Sequence, residues 1–200
     1  MDGERASAPD NSWAAVAAAI RGRRSNLNVD LERAVPRDVV EELIGLAVHA
    51  PNHYRTNPWR FVVLTGQARA RLGEIVAGVV AGQPGAKEAT VERQRAQFLR
   101  APTVLVVASA GDPDPVKHFE NKHAVAAGIE NMLIGATAMS LASAWKSGPA
   151  MTDPEVSAAV KETLGLAAED EIVGVVYLGY PVGAPGSITR PEPRVAYISE

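Results

Sequence analysis

The stretch from about Phe119 to Ala142 constrains this chain more than any other part of it, because its residues are apolar nearly all round a helical wheel. A helix with no solvent face has to be covered on every side, so it lies at the centre of a domain or between subunits. A bilayer is the other environment that would cover it, and the segment Ala124–Ala144 is long enough to span one. That segment is built from Ala, Gly, Ser and Thr, with Glu130 and Asn131 near its middle. A carboxylate at mid-bilayer costs roughly 2.5–3.5 kcal/mol, which small residues do not offset. The expectation is a buried helix at a homodimer interface and no membrane association.

Around it the chain alternates helices with short β-rich runs. Trp13, Val16, Ala17 and Ile20 share one helical face, with Asp10 or Asn11 available as cap, and Arg21, Arg23 and Arg24 close that helix. Pro36 suits the start of a second helix, in which Val40, Leu43, Ala47 and Ala50 repeat at helical spacing up to Pro51. Arg60–Thr65 reads as a strand, followed by a helix from Gln67 to about Gly82 and another over roughly Thr90–Arg100. Thr103–Ser109 is a buried strand, and the GDPDP segment after it a loop. Asp153-Pro154-Glu155 starts the last helix, with Asp as cap, and Ile172–Tyr180 is the last strand. Residues 1–10 are expected to be disordered and 181–200 to form an extended Pro- and Gly-rich tail, with one domain over residues 1–200.

Several function classes drop out on composition. Of 200 residues, 20 are Lys or Arg and 23 are Asp or Glu, scattered along the chain to a net charge of -3. No basic stripe exists for nucleic acid or an anionic membrane. There is no cysteine, so disulfides, thiolate catalysis and Cys-ligated metals are excluded, and any redox chemistry requires a bound cofactor. The N-terminus places acids before its apolar stretch and arginines after it, the reverse of a secretory signal, so the expected compartment is the cytoplasm. No nucleophile elbow, HExxH or GxGxxG is present, and GQPGAKEAT lacks the Gly-Lys-Ser/Thr ending of a Walker loop. His49 and His53 are four apart, but Pro51 between them breaks the helix that would align them, so no metal site is expected.

Three groups remain. Arg23-Arg24-Ser25 offers two guanidiniums and a hydroxyl able to grip a phosphate. Read alone, it is better explained as basic residues complementing a helix C-terminus. His49 to Phe61 is a polar, Pro-bounded loop feeding a strand, fit either to line a planar ligand or to be a surface loop anchored by Trp59. Trp145-Lys146-Ser147-Gly148-Pro149 is a small polar turn after the long helix, or a plain connection.

In this order the three groups resemble the FMN site of the nitroreductase family: Arg-Arg-Ser near the start, an A-P-x-x to P-W-x-F stretch, and a W-K/R-S/T-G turn after a long helix. The similarity is greatest to its compact bacterial NAD(P)H nitroreductases, which share the A-P-[DN]-H loop, here Ala50–His53, and the I-V-G-x-x-Y-L-G strand, here Ile172–Gly179. It covers about residues 13–195. The resemblance implies an α+β, nitroreductase-like fold, with a mixed, mainly antiparallel central sheet flanked by helices and the long central helix at a homodimer interface. It implies that Arg23, Arg24 and Ser25 hold FMN, chiefly its phosphate and ribityl chain. His49 and His53 would contact FMN from the partner subunit, and Trp145, Lys146 and Ser147 would border the flavin. Gly135, Ala136, Thr137, Ala138, Met139 and Ser140 align with a segment assigned to nicotinamide-nucleotide binding. The implied activity is ping-pong reduction of nitroaromatic, quinone or related acceptors by NADH or NADPH, with no catalytic side chain beyond those that hold the flavin. A non-catalytic flavin-binding protein and a reductive dehalogenase-type or flavin-degrading enzyme on the same scaffold are the alternatives. Two positions depart from the family pattern: Leu27 stands where many members carry a basic residue near the flavin ring, and His49 where relatives often have Arg.

Overall fold

The computed structural model describes residues 12–199. The expectations for residues 1–10, and for Asp10 or Asn11 as a cap, lie outside the described residues. The elements are α1 (Ser12–Gly22), α2 (Arg37–Ala47), β1 (Trp59–Thr65), α3 (Gln67–Gly82), α4 (Glu88–Ala96), β2 (Thr103–Ser109), α5 (Pro115–Ala138), β3 (Ala142–Lys146), α6 (Pro149–Thr152), α7 (Pro154–Leu164) and β4 (Glu171–Gly179). Short 3-10 turns cover His53–Arg55 and Gln97–Arg100.

The four strands form one sheet in the order β1-β2-β4-β3, every pair antiparallel. An isolated parallel bridge joins Ser25 to Ser143 on the outer edge of β3. Side chains alternate between two cores, as the period of a strand requires. Val104, Val106 and Ala108 of β2 face Leu72, Val76, Phe98, Val156 and Val160 on the α3, α4 and α7 side. Leu105 and Val107 face Leu43, Ala47, Val125, Ile129 and Met132 on the α2 and α5 side. β4 keeps this alternation across a register shift opposite Val107 and Ala108. The result is a three-layer α+β fold, as expected.

α5 differs from expectation at both ends. It starts at Pro115, inside the segment read as a loop, because Asp114 accepts hydrogen bonds from the N–H groups of Val116 and Lys117 at 2.9 and 3.4 Å. The same Asp-Pro start operates at α7, where Asp153 accepts from Glu155 and Val156 at 3.0 and 3.1 Å. α5 ends at Ala138, and residues 142–146, read as helix and turn, form edge strand β3.

Nor is α5 wrapped all round within one chain. Its buried residues, from Asn121 and Val125 through Gly128, Met132 and Ala136, make one broad face, while Phe119 is 60% exposed. Its small residues serve close helix packing. A Cβ on Gly128 would sit 2.7 Å from the carbonyl oxygen of Ala47 and 2.9 Å from the Trp59 ring, and one on Gly135 would sit 2.5 Å from Leu46. The two polar residues in mid-helix have partners: Asn131 donates to the carbonyl of Leu46 at 3.3 Å, and Glu130 pairs with Arg23. No helix among the described residues is long and apolar enough to cross a membrane.

Candidate active site

A cavity of about 210 Å³ lies where α4 and the Gln97–Arg100 turn meet the end of β3 and the middle of β4. Lys146 and Ser147 stand exposed on one rim. Gly148 keeps that side open: a Cβ there would point at Gln97 and approach its Oε1 to 3.6 Å. Pro149 then starts α6, whose Ala150 is buried and fixes the turn to the core.

The buried part of the lining holds two polar side chains among Phe98, Ala150 and Val175. Gln94 is 7% exposed, and its Oε1 has no hydrogen-bond partner. An unsatisfied buried acceptor costs about 1–3 kcal/mol, and because Gln94 lines the cavity a donor entering there could satisfy it. Tyr177 is also buried, and burial pushes its phenol up to about 12, against a smaller opposing effect of the Arg100 charge. Arg93, Arg100 and Lys146 complete the cationic part of the wall.

The Arg23–Ser25 group lies at the other end of β3. Arg23 Nε pairs with Glu130 at 3.0 Å, and the Arg24 guanidinium donates to the carbonyls of Arg21 and Arg23 at 2.6 and 2.8 Å. Arg24 thus satisfies carbonyls at the end of α1, while Arg23 ties that end to α5. Arg24 also lines a cavity of about 180 Å³ with Asn26, Thr137 and Ser140. Ser25 is exposed and bridges to Ser143, and Asn26 N–H donates to the Ser143 carbonyl at 2.9 Å. The basic group is thus stitched to the start of the strand whose end carries Lys146. The four residue steps from Ser143 to Ser147 span about 13 Å at ~3.3 Å each.

His49 and His53 are not brought to either place within one chain. His49 is exposed beyond α2. His53 Nδ1 contacts Glu120 Oε2 on α5, on the opposite face of the sheet from Gln94. Tyr54, Arg55 and Asn57 in that loop have φ of 62°, 53° and 51°, a conformation that non-glycine residues adopt at a cost. Buried Asn121 accepts from the Thr56 hydroxyl, Thr56 accepts from Asn52 at 3.1 Å, and Asn52 accepts from the N–H of Asn57 at 2.9 Å. These bonds hold the loop in place.

Two sequence expectations shift in detail. Trp145 turns its indole away from the cavity, donating to the Val173 carbonyl at 3.3 Å and covering Gly174, where a Cβ would come within 1.9 Å of the ring nitrogen. Gly135 and Ala136 are buried and Thr137 donates to the Leu133 carbonyl at 3.0 Å, so of residues 135–140 only Thr137 and Ser140 line the cavity beside Arg24. Gln94, Gln97 and Arg100 were not singled out by sequence reasoning, Tyr177 enters it only as part of the last-strand motif, and Arg93 reads there as a solvated charge. One signal was available: Gln94 falls between Val91 and Phe98 on the buried stripe of its helix, where an apolar residue is the norm.

The nitroreductase family model matches residues 20–180. The chain belongs to the nitroreductase family. A candidate NAD(P)H nitroreductase of Escherichia coli (strain K12), YdjA, is 30% identical over 165 residues, 81% of this chain and 87% of that protein. Among solved structures, the nitroreductase-like protein of Bacillus cereus superimposes with a TM-score of 0.75 at 27% identity, covering 96% of this chain and 94% of the other. A nitroreductase with bound FMN from Bacteroides fragilis gives 0.72 at 26% identity, covering 92% and 98%.

Proposed function

We propose that this nitroreductase-family chain is a cytoplasmic, FMN-dependent oxidoreductase acting as a homodimer, with NADH or NADPH as donor and a nitroaromatic, quinone or related small molecule as acceptor. The observation that carries this reading is the buried, unpartnered Gln94 Oε1 beside the Lys146–Gly148 turn, joined by one strand to the Arg-Arg-Ser group. The isoalloxazine ring of FMN presents an imide N–H that such an acceptor takes, and the phosphate at the end of its ribityl chain suits Arg23, Arg24 and Ser25. The FMN found in the Bacteroides fragilis nitroreductase supports the same assignment.

FMN, when bound, supplies the two-electron chemistry that no side chain of a cysteine-free chain offers. The chain's part is to hold and to polarise. Gln94 would orient the ring edge by accepting its N–H, while Gln97, Lys146 and Ser147 border the same space. Trp145 fixes β3 from the far side of the sheet, so that the turn keeps its position. Thr137 and Ser140, within the 135–140 segment, are available to the nicotinamide nucleotide. Donor and acceptor would then use one open face in turn, in ping-pong order.

The dimer is supported by what one chain leaves uncovered. Trp13, Val16 and Ile20 on α1 are 70%, 56% and 48% exposed, an apolar stripe without a partner. A second copy would also bring His49 and His53 towards a flavin that they do not approach in their own chain.

The test is flavin binding by Arg23→Ala and Arg24→Ala. A hydrogen bond to a charged group contributes roughly 1.5–3 kcal/mol, so loss of a phosphate contact raises the FMN dissociation constant about tenfold to a hundredfold. Riboflavin, which has no phosphate, loses less, and Lys87→Ala serves as the solvated control. Two single variants that bind FMN as tightly as wild type would reduce the cluster to a helix end. NADH and NADPH oxidation by the loaded protein with nitro, quinone and halogenated acceptors separates this reading from a flavin carrier or a dehalogenase.

A further inference from the structure

We infer that Arg93, Arg100 and Lys146 set the redox potential of the flavin in this cavity by stabilising its negatively charged reduced form, a task that apolar Leu27 cannot perform. The inference rests on the flavin reading of the cavity and concerns how this chain equips it.

Their gathering at one cavity singles these residues out, since other cations such as Lys87 also have no acidic partner among the described residues. Elsewhere Arg23 pairs with Glu130, Arg37 with Glu41, Arg95 with Glu74 and Glu92, and Lys122 with Glu171. Arg93, Arg100 and Lys146 line one cavity, and none of them has an acidic partner among the described residues. In a chain of net charge -3, unpaired cations gathered at one concavity form a local positive field that favours an anion.

The placement suits a ligand held from both sides. Arg93 on α4 and Arg100 at the end of the following 3-10 turn line the cavity together with Gln94 and Gln97, which lie between them in the chain. Lys146 comes from the opposite wall, at the end of the edge strand. The floor is buried and includes Tyr177, whose phenol stays neutral because burial holds its pKa at about 12. No acid joins them in the lining. Charges around a half-enclosed space are less screened than the same charges on open surface.

The electron count states what such a field does. A nicotinamide donor transfers two electrons and one proton, as hydride, to the neutral oxidised ring, and the donor leaves as its oxidised pyridinium. The reduced ring then carries one extra negative charge. Cations facing it bind the reduced form more tightly than the oxidised form, which raises the midpoint potential. Leu27 meanwhile packs against the hydrophobic core on the α3 and α7 side, so no charge arrives from the segment that follows Ser25.

The experiment is a potentiometric titration of FMN-saturated wild type, Arg93→Gln/Arg100→Gln, Lys146→Gln and a Lys87→Gln control, with the affinity for oxidised FMN measured in parallel. The double variant is expected to lose about tenfold in its preference for reduced over oxidised FMN, a drop of about 30 mV for a two-electron couple. Lys146→Gln moves in the same direction, Lys87→Gln leaves the potential unchanged, and the charge-retaining Arg93→Lys/Arg100→Lys restores it. Flavin-loaded variants with the potential of the control would overturn the inference, as would an equal shift in the charge-retaining pair. Wild type that takes up no FMN would instead bring down the flavin reading itself.

Discussion

Replacing Gln94 by Met separates the two consequences of placing an amide on the buried stripe of α4. In the flavin-free protein the Gln94 Oε1 is buried and unpartnered, at a cost of about 1–3 kcal/mol. Met has a similar length, no polar group to satisfy, and the flexibility to fill the space between Val91 and Phe98. The apoprotein should therefore gain about 1–2 kcal/mol, which for a chain of this size raises Tm by about 2–8 °C. The FMN complex should move the other way. With Gln94 gone, the imide N–H of the ring enters the cavity without an acceptor, at about 1–3 kcal/mol, and the dissociation constant rises about fivefold to a hundredfold. Thermal unfolding of flavin-free protein by circular dichroism reads the first quantity, and quenching of FMN fluorescence on titration reads the second. The reasoning fails if the variant melts below wild type while binding FMN equally well, because Gln94 would then be a structural residue and the cavity would owe nothing to a ring donor.

Three further outcomes follow from the packing and charge arrangement. Gly128→Ala puts a methyl 2.7 Å from the backbone oxygen of Ala47, so α2 must shift; a loss of about 1–3 kcal/mol is expected, seen as a lower urea midpoint at unchanged m-value. Burial alone would raise the Glu171 carboxyl, but Lys122 and His118 outweigh it and hold it below its ordinary value of 4.5. A depressed carboxylate contributes stability that is present above the unfolded value and lost as pH falls through the folded one. Urea midpoints measured downward from pH 6 should thus fall more steeply below about 4.5 for wild type than for Glu171→Gln. Trp13→Glu combined with Ile20→Glu should convert a sedimenting dimer to monomer, whereas an unchanged dimer would place the interface elsewhere.

What the chain disclosed in advance depended on how local each signal was. The Asp153-Pro154 start of α7 and the β-branched run at Thr103–Ser109 act through their own backbone, and both appear at or within a residue of their expected bounds. Asp114-Pro115 carries the same helix-start chemistry and was passed over because the preceding Gly-Asp-Pro reads as a turn. β3 was missed for a different reason. Ala142-Ser143-Ala144 has no β-branched residue, and what makes it a strand is non-local: pairing with Leu178 and Tyr177 on one side and with Ser25 on the other.

The candidate site divides along the same line. Arg23 to Ser25 and Lys146 to Ser147 are contiguous in sequence and stand out as motifs. Gln94, Gln97 and Arg100 are spaced along α4 and the turn after it, and their shared cavity exists only once that segment meets β3 and the middle of β4. This bears on how the departure at Leu27 is to be understood. Taken against the family pattern alone, an apolar residue there means a flavin with one cation fewer. A field inside a cavity is a sum over every wall, though, and Arg93, Arg100 and Lys146 stand on walls that position 27 does not reach. The charge facing a ligand is therefore a property of the folded concavity, and a missing motif residue lowers it only if no other element has brought a cation to the same space.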